Sequence, residues 1–220
     1  RENKDMIVNM LYVRSSLERA NESRREMEAV NVKLLKQSET DQMTGLANRY
    51  RLNAYSEKVL DYCYEHRLPL AMEILDIDFF KQYNDNYGHQ QGDECIIAIA
   101  NELKKMEDGQ TFCARYGGDE FIIIYAGISA EEVHAKAGAL RQNIMNLKLE
   151  HLYSKALPIV TISQGISYGV PEEGNRSWDF LHTADMLLYQ VKKKSRNDIC
   201  IADIRGQELD LSSKQEKVEP

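Results

Sequence analysis

The chain has 220 residues, 28 basic and 35 acidic, with a net charge of −7. That length builds one domain of ordinary size plus extensions, and the acidic balance argues against a nucleic-acid binder, which carries a basic excess or stripe. No apolar run approaches the ~20 residues of a membrane span, there is no signal peptide, and the 4 cysteines (63, 95, 113 and 200) lack metal-type spacing and read as buried free thiols of a reducing cytosol.

Residues 1–39 contain no Gly or Pro, and Met6, Met10, Val13, Leu17, Ala20, Met27 and Leu34 recur at alternating spacings of 3 and 4. Arg24 and Asn31 fill the two gaps. With Met10 at a, Asn31 falls at a as well, and a polar a residue fixes register and oligomer state. The narrow stripe predicts a parallel coiled-coil dimer; a solitary amphipathic helix is the other reading, and Arg24 speaks for it. Arg1 opens inside a helical pattern without an initiator Met, so the sequence is expected to be part of a longer chain.

Alternating elements follow. Helices are expected over Ala47–His66, about Phe79–Asn86, Gly92–Met106, about Ala130–Leu149 and Ser177–Lys194, with Ser129-Ala-Glu-Glu132 as a capping box for the fourth. Strands are expected over Leu70–Asp76, Phe112–Tyr116, Phe121–Tyr125, Ile159–Val170 and Asp198–Ala202. This mixture implies an α/β fold with a mixed sheet. The domain reading is a helical stalk over 1–39, a catalytic domain over 40–203 and a polar, disordered tail over 204–220.

Residues 115–121, Arg-Tyr-Gly-Gly-Asp-Glu-Phe, carry the most information. The Gly pair between two apolar runs marks a hairpin, and Asp119 and Glu120 stand at its turn, where they are either a solvated turn or hard oxygen ligands for Mg²⁺. Leu70–Ile77 is mostly apolar, so a carboxylate at its end, Asp76, is costly to bury unless paired or bound to metal. Asp76 and Asp119 on adjacent strands would form a two-carboxylate site.

Arg-Tyr-Gly-Gly-Asp-Glu-Phe resembles the signature of the GGDEF family, the bacterial diguanylate cyclases. Asp41–Arg49 is similar to the family's entry motif, with Met43 where Leu is usual. Asp76–Asp85 and Tyr87–Asp93 resemble its nucleotide-binding segment, and Val160–Gly165 and Ala184–Lys192 through Arg196-Asn197 its C-terminal half. The motifs come in the family's order over residues 40–202. The resemblance implies a ferredoxin-like palm, related to nucleotidyl cyclases and polymerases. It also implies a reaction that joins two GTP into cyclic di-GMP with release of two pyrophosphates across a dimer of catalytic domains.

The resemblance further implies site residues. Two Mg²⁺ (or Mn²⁺) per active site would be held by Asp76, Asp119 and the Ile77 carbonyl, with Glu120 either a ligand or the group that helps deprotonate the 3′-hydroxyl. Asp78 faces the same side if the strand continues, and is a helix N-cap if it does not. The turn Asp78-Phe79-Phe80-Lys81 opens a helix whose free N–H groups can receive the terminal phosphate, with Lys81 adding charge. Lys192 and Arg196 correspond to the family's phosphate-binding pair; a basic helix end is the plainer explanation. Asn84 and Asp93 correspond to its guanine-binding residues. Family members that make mixed cyclic dinucleotides carry Ser where Asp93 stands, so Asp93 favours GTP.

Gly88 and Gly92 fit the turn between two helices, with His89 as a structural hydrogen-bonder. Arg115 is expected to pair with a nearby acid and Tyr116 to lie on the sheet. Asp41 and Arg49 are expected to hold the joint to the stalk. The family's product-inhibition motif Arg-x-x-Asp is replaced by Asp108-Gly-Gln-Thr111. The expected partners are GTP and a second copy through the N-terminal helix, in the cytoplasm, with membrane attachment only through an upstream region. A non-catalytic nucleotide receptor and a purely structural dimerisation module are the alternatives; intact Asp76, Asp119, Glu120, Lys192 and Arg196 weigh against both.

Overall fold

The computed structural model describes residues 14–25, 27, 28, 30, 34, 39–207 and 209. They belong to two compact units, residues 1–40 and 41–220. In the first, residues 14–25 are helical. Arg14 pairs with Glu18 at 3.1 Å and Arg24 with Glu28 at 3.5 Å, each one turn on. Leu17, Met27 and Leu34 of the predicted stripe are exposed. Met6, Met10, Val13 and Asn31 lie outside the described residues.

The second unit runs α1 (Arg49–His66), β1 (Leu70–Ile77), α2 (Phe80–Tyr87), α3 (His89–Met106), β2 (Thr111–Gly117), β3 (Glu120–Ala126), α4 (Ala130–Asn146), β4 (Ile162–Gly169), α5 (Ser177–Lys194) and β5 (Ile199–Asp203). The strands form one mixed sheet in the order β2-β3-β1-β4-β5, with β4 and β5 parallel and the other neighbours antiparallel. This is the expected palm-like α/β fold.

Alternation along β1 separates two cores. Ala71, Leu75 and Ile77 pack with Ile99, Leu103, Val133 and Leu140 of α3 and α4. Leu70 and Met72 point the other way, to Leu52, Val59 and Leu60 of α1 and Phe180 of α5. Helix α5 lies directly on β4. A Cβ on Gly165 would stand 2.2 Å from the Ala184 carbonyl oxygen and 2.3 Å from the Leu188 nitrogen. Only a residue without a side chain lets the helix come that close.

Several boundaries differ from expectation for local reasons. Helix α3 begins at His89, not Gly92, because the left-handed Gly88 (φ 85°) divides the two helices alone. Gly92 is instead a buried position within α3. Helix α4 stops before Lys148, which is left-handed (φ 52°), while its predicted capping box is present. Strand β4 starts at Ile162 because residues 149–160 pair with one another, through Val160 N–H to the Leu149 carbonyl and a Glu150–Ile159 bridge. The predicted tail also needs correction: residues 204–207 turn back, with the Asp203 carboxylate accepting from the Arg205 and Gln207 amides, and Leu209 N–H donating to the Ile201 carbonyl. Residues 208 and 210–220 lie outside the described residues.

Cys63, Cys95 and Cys113 are buried free thiols as expected, and Cys200 is half-buried and in no disulfide. Sequence periodicity did not single out Glu73, which is fully buried in the middle of β1. Its carboxyl accepts from Tyr125 Oη at 2.8 Å and Gln164 Nε2 at 2.7 Å. Burial pushes it up to about 7, although both hydrogen bonds oppose the rise.

The folded state therefore keeps this proton to near neutrality, whereas the unfolded chain releases it near pH ~4.3. The folded state binds more protons across that window, so stability is full below it and falls as pH rises through about 7. The neutral Glu73→Gln variant is expected to lack this fall, worth on the order of 3 kcal/mol. Urea unfolding across the window checks it; equal pH dependence in parent and variant would refute a buried titrating Glu73.

Candidate active site

Strand β1 delivers Asp76 to the end of the sheet. In register, Asp76 lies opposite Glu120 of β3 on one side and Ser163 of β4 on the other. Directly opposed residues of an antiparallel pair point to the same face, so the Asp76 and Glu120 side chains are neighbours. The β1–β3 ladder ends at this pair, while β1–β4 pairing continues to Ile77–Ile162. The Ile77 backbone thus runs on without a β3 partner.

Asp119 sits in the turn itself, as expected, after Gly118 at φ 51°, whereas Glu120 already opens β3. Arg115 clamps that turn. Its Nε and Nη2 donate to the Gly118 carbonyl at 3.1 and 2.8 Å, and its Nη1 reaches Asp41 at 3.2 Å. Asp41 also accepts from the Thr44 amide and hydroxyl at 2.8 and 2.6 Å. Burial pushes Asp41 up, but the Thr44 and Arg115 bonds outweigh it and its carboxyl lies below the usual value. Asp41 is thus the acid that Arg115 was expected to find. Arg49 does not meet Asp41; its guanidinium lies 4.5 Å from the ring centre of Tyr116.

The close seating of α5 brings Lys192 across the sheet end, with Nζ 2.8 Å from Asp76. Burial pushes Asp76 up to about 6; Lys192 opposes the rise, and the charges of Asp119 and Glu120 add to it. Burial likewise raises Glu120, with Lys192 opposing and Asp119 and Asp185 adding. Glu120 is therefore within electrostatic reach of Asp76, Asp119 and Asp185, with Lys192 as the cation among them.

Among the described residues no three acidic, imidazole or thiol groups converge as a preformed metal cage. The donors nevertheless fit Mg²⁺ or Mn²⁺. They are hard oxygens, they are carboxylates whose mutual repulsion a divalent cation would relieve, and Mg²⁺ commonly takes one or two protein carboxylates with water and phosphate completing its shell.

The phosphate-type turn is built around Asp78, which is no N-cap and takes a hydrogen bond from Ser163, the residue opposite Asp76. Strand β1 stops at Ile77, and Phe79 precedes the helix. Asp78 is fully buried and accepts from Thr161 Oγ1 (2.8 Å), Ser163 Oγ (2.6 Å) and the Asn197 amide (2.9 Å). Arg196 Nη1 stands 3.5 Å from it, and the Arg196 guanidinium 4.2 Å from the ring centre of Phe79. Phe79, Arg196 and Asn197 all have positive φ (57°, 54° and 44°). Such residues cost roughly 1–3 kcal/mol each and persist where surrounding contacts fix them; Asp78 joins the two left-handed turns and supplies those contacts.

The first amides of α2 have no carbonyl partner within the helix. Phe80 packs in the core, so only its backbone is available to a ligand, and Lys81 is exposed. Lys193 instead covers the Tyr189 ring at 4.4 Å, as expected of a residue outside the site.

At the α2–α3 joint, Asn84 Oδ1 is buried without a hydrogen-bond partner. A Cβ on Gly92 would lie 1.8 Å from it, so Gly92 makes room for this amide rather than forming the turn. Asp93 is exposed beside it. His89 is exposed and makes no hydrogen bond, against expectation; it starts α3 beside Gly88, with its ring in solvent. Asp108 and Thr111, at the family's Arg-x-x-Asp positions, are joined to each other by Lys136 Nζ at 2.8 and 3.0 Å. That lysine bond pulls Asp108 down to about 2.

Two residues escaped the sequence reading. Asp185 of α5 faces Glu120, and its place two helical turns before Lys192 was the available signal. His151, fully buried in the 147–161 segment, lies 3.1 Å through Nε2 from the Phe79 carbonyl and meets the Tyr83 ring edge-on at 5.1 Å. Its Nδ1 is buried without a partner. Burial holds its pKa below the usual value, with the Phe79 bond and Asp78 opposing. The neutral ring then donates from Nε2 and steadies the turn. A lone histidine in an irregular segment gave no pattern to read.

A mixed sheet with carboxylates at a central strand end, an acidic hairpin beside them and a strained turn opening a helix agrees with the palm-like fold expected of the family. Residues 38–198 match the family model "Diguanylate cyclase, GGDEF domain". The chain belongs to this family. It is 35% identical over 163 residues, 73% of the chain, to "Probable diguanylate cyclase DgcC" of Escherichia coli, and spans 42% of that protein. It is 33% identical over 190 residues, 84% of the chain, to "Diguanylate cyclase DgcP" of Pseudomonas aeruginosa, spanning 28% of it. The chain thus spans less than half the length of these relatives.

The coiled coil and GGDEF domain of DgcB from Caulobacter crescentus, solved in complex with c-di-GMP, superposes with a TM-score of 0.70 at 28% identity, covering 84% of this chain and 97% of that one. The active GGEEF domain of a diguanylate cyclase from Vibrio cholerae gives 0.61 at 30% identity, covering 71% and 99%.

Because His151 acts through the Phe79 carbonyl, His151→Ala is expected to weaken nucleoside triphosphate binding about five- to tenfold, the scale of one hydrogen bond. His151→Gln, which keeps a donor, should recover most of it. Calorimetric titration with a non-hydrolysable GTP analogue checks this; equal losses in both variants would reduce His151 to packing.

Proposed function

We propose that this chain is the catalytic part of a diguanylate cyclase that condenses two GTP into cyclic di-GMP. In each half-reaction a 3′-oxygen bonds to the α-phosphorus of the other nucleotide, the bond from that phosphorus to the β-phosphate bridging oxygen breaks, and pyrophosphate leaves. The 3′-hydroxyl proton passes to a base, a role that Glu120, a half-buried carboxylate with a raised pKa, would take. The observation that carries the reading is the Asp76–Glu120 cross-strand pair at the sheet end, with Asp119 beside it and Lys192 on Asp76.

Asp76, Asp119, Glu120 and the Ile77 carbonyl would hold two Mg²⁺ or Mn²⁺ per site, which when bound neutralise triphosphate charge and acidify the attacking hydroxyl. Lys192 would then exchange Asp76 for phosphate, and Arg196 would face the same phosphates from its seat on Phe79. The open amides of Phe80 and Lys81, with the Lys81 charge, would take the terminal phosphates. The partnerless Asn84 Oδ1 and exposed Asp93 would accept from guanine, whose N1–H and amino group offer adjacent donors that adenine lacks. Each domain would hold one GTP, so product requires two domains face to face. The N-terminal helix would pair two copies as a coiled coil and carry control from an upstream sensor, with the catalytic part in the cytoplasm.

Incubating the chain with Mg²⁺ and GTP, with ATP as competitor, is expected to yield cyclic di-GMP and pyrophosphate. Asp119→Ala should lower the rate at least about hundredfold, the scale seen when a charge-stabilising group is removed. GTP binding without turnover by a dimeric sample would favour a receptor instead, and mixed dinucleotides would overturn the role given to Asp93.

A further inference from the structure

Helix α2 is 8 residues long, too short to hold its own ends, since isolated helices of fewer than ~12–15 residues are marginal in water. Both ends belong to the proposed nucleotide site. The first amides would take phosphate, and the last turn carries Asn84 and runs through the Gly88 joint toward Asp93. A support from outside the helix must therefore fix both.

Segment 149–161 supplies it. The segment is closed on itself by Val160 N–H to the Leu149 carbonyl (2.8 Å) and His151 N–H to the Pro158 carbonyl (3.0 Å), and it leads into β4. Ahead of α2, the Thr161 carbonyl accepts from the Asp78 amide at 2.9 Å, and His151 Nε2 lies 3.1 Å from the Phe79 carbonyl. At the other end, the hydroxyl of Tyr87, the last residue of α2, accepts from the Leu152 amide at 3.0 Å. A Glu150 carboxylate oxygen stands 3.5 Å from the same hydroxyl, on its donor side. The Tyr87 ring packs on Tyr83 at 4.8 Å and meets Tyr153 edge-on at 5.7 Å. Two consecutive residues, His151 and Leu152, thus grip opposite ends of one short helix.

We infer that Tyr87 is a positioning residue for the guanine end of the nucleotide, an inference that rests on the GTP reading above. Its hydroxyl acts through the last turn of α2. Gly88 N–H donates to the Asn84 carbonyl at 2.9 Å, and Gly92 N–H to the Gly88 carbonyl at 3.1 Å, so a shift of that turn passes to Asn84 and to the start of α3. Asn84 Oδ1 has no hydrogen bond of its own to hold it in place. An amide oxygen and the Asp93 carboxylate serve guanine only while they keep their spacing. Adenine lacks the adjacent donor pair and gains nothing from that spacing. The two grips therefore differ in what they serve: His151 the phosphate end, Tyr87 the choice of base.

Tyr87→Phe keeps the ring and its packing and removes only the hydroxyl. Calorimetric titration in Mg²⁺ with a non-hydrolysable GTP analogue, the matching ATP analogue and inorganic tripolyphosphate separates the two ends. Tyr87→Phe is expected to weaken the GTP analogue about fivefold, the scale of one hydrogen bond, and to leave the other two within about twofold, narrowing the preference for guanine. His151→Ala is expected to weaken all three.

Equal losses for the GTP analogue and tripolyphosphate in Tyr87→Phe would overturn the inference and reduce Tyr87 to general support of the fold. Unchanged binding of all three would overturn it as well. A parent protein that binds the GTP analogue no better than the ATP analogue would sink the proposed guanine site, and this inference with it, a failure read before any variant is made.

Discussion

The seating of α5 on the sheet governs the geometry of this domain. With the helix backbone directly over Gly165, where a Cβ would come within 2.3 Å of two backbone atoms, α5 has one height above β4. That height lets a lysine in its last turn reach the end of the neighbouring strand β1. It also sets Asp185 and Trp178 along the edge of the hairpin, so one close backbone contact fixes one wall of the centre. A larger residue would have to lift the helix against Phe180, Leu187 and Leu188, all buried. Close-packed interiors move such a strain elsewhere rather than absorb it.

Around that frame the electrostatics are deliberately unbalanced. Asp76, Asp119, Glu120 and Asp185 crowd one end of the sheet, and burial raises Asp76 and Glu120. Lys192 relieves only part of this. Asp78, two residues further on, is the opposite case: it is buried with its oxygens satisfied by hydroxyls, an amide and Arg196. The first set is poised to meet added positive charge, and the second holds two left-handed turns in place. Carboxylates of one short segment thus divide into a reactive group and a structural one, by what surrounds them rather than by type.

The hairpin, the capping box at Ser129, the span of α5 and a mixed-sheet α/β fold were legible in the sequence, because each rests on local patterning, while the palm was implied by the family resemblance. The role of Gly92 was not, since its missing side chain matters only against Asn84 of another helix. Asp78 could be read from sequence as facing the Asp76 side or as a cap. Only the start of the helix after Phe79 excluded the cap, and only the approach of Thr161, Ser163 and Asn197 from distant segments made Asp78 a buried acceptor. His151 showed no periodicity and still reaches the Phe79 carbonyl from 72 residues away.

What the sequence determined by itself is the chemistry available: ordered motifs, two glycines at a turn, acids at a strand end, and cations at a helix end. Those follow from residue type and from periods of two and 3.6 along the chain. What only the tertiary structure decided is which of these groups meet. Asp76 meets Lys192, Asp41 meets Arg115, and Glu120 faces Asp185, because antiparallel register and a helix seated on glycine bring sequence-distant atoms within a few ångströms. Charge and hydrogen bonding act over that range, and separation along the chain does not measure it.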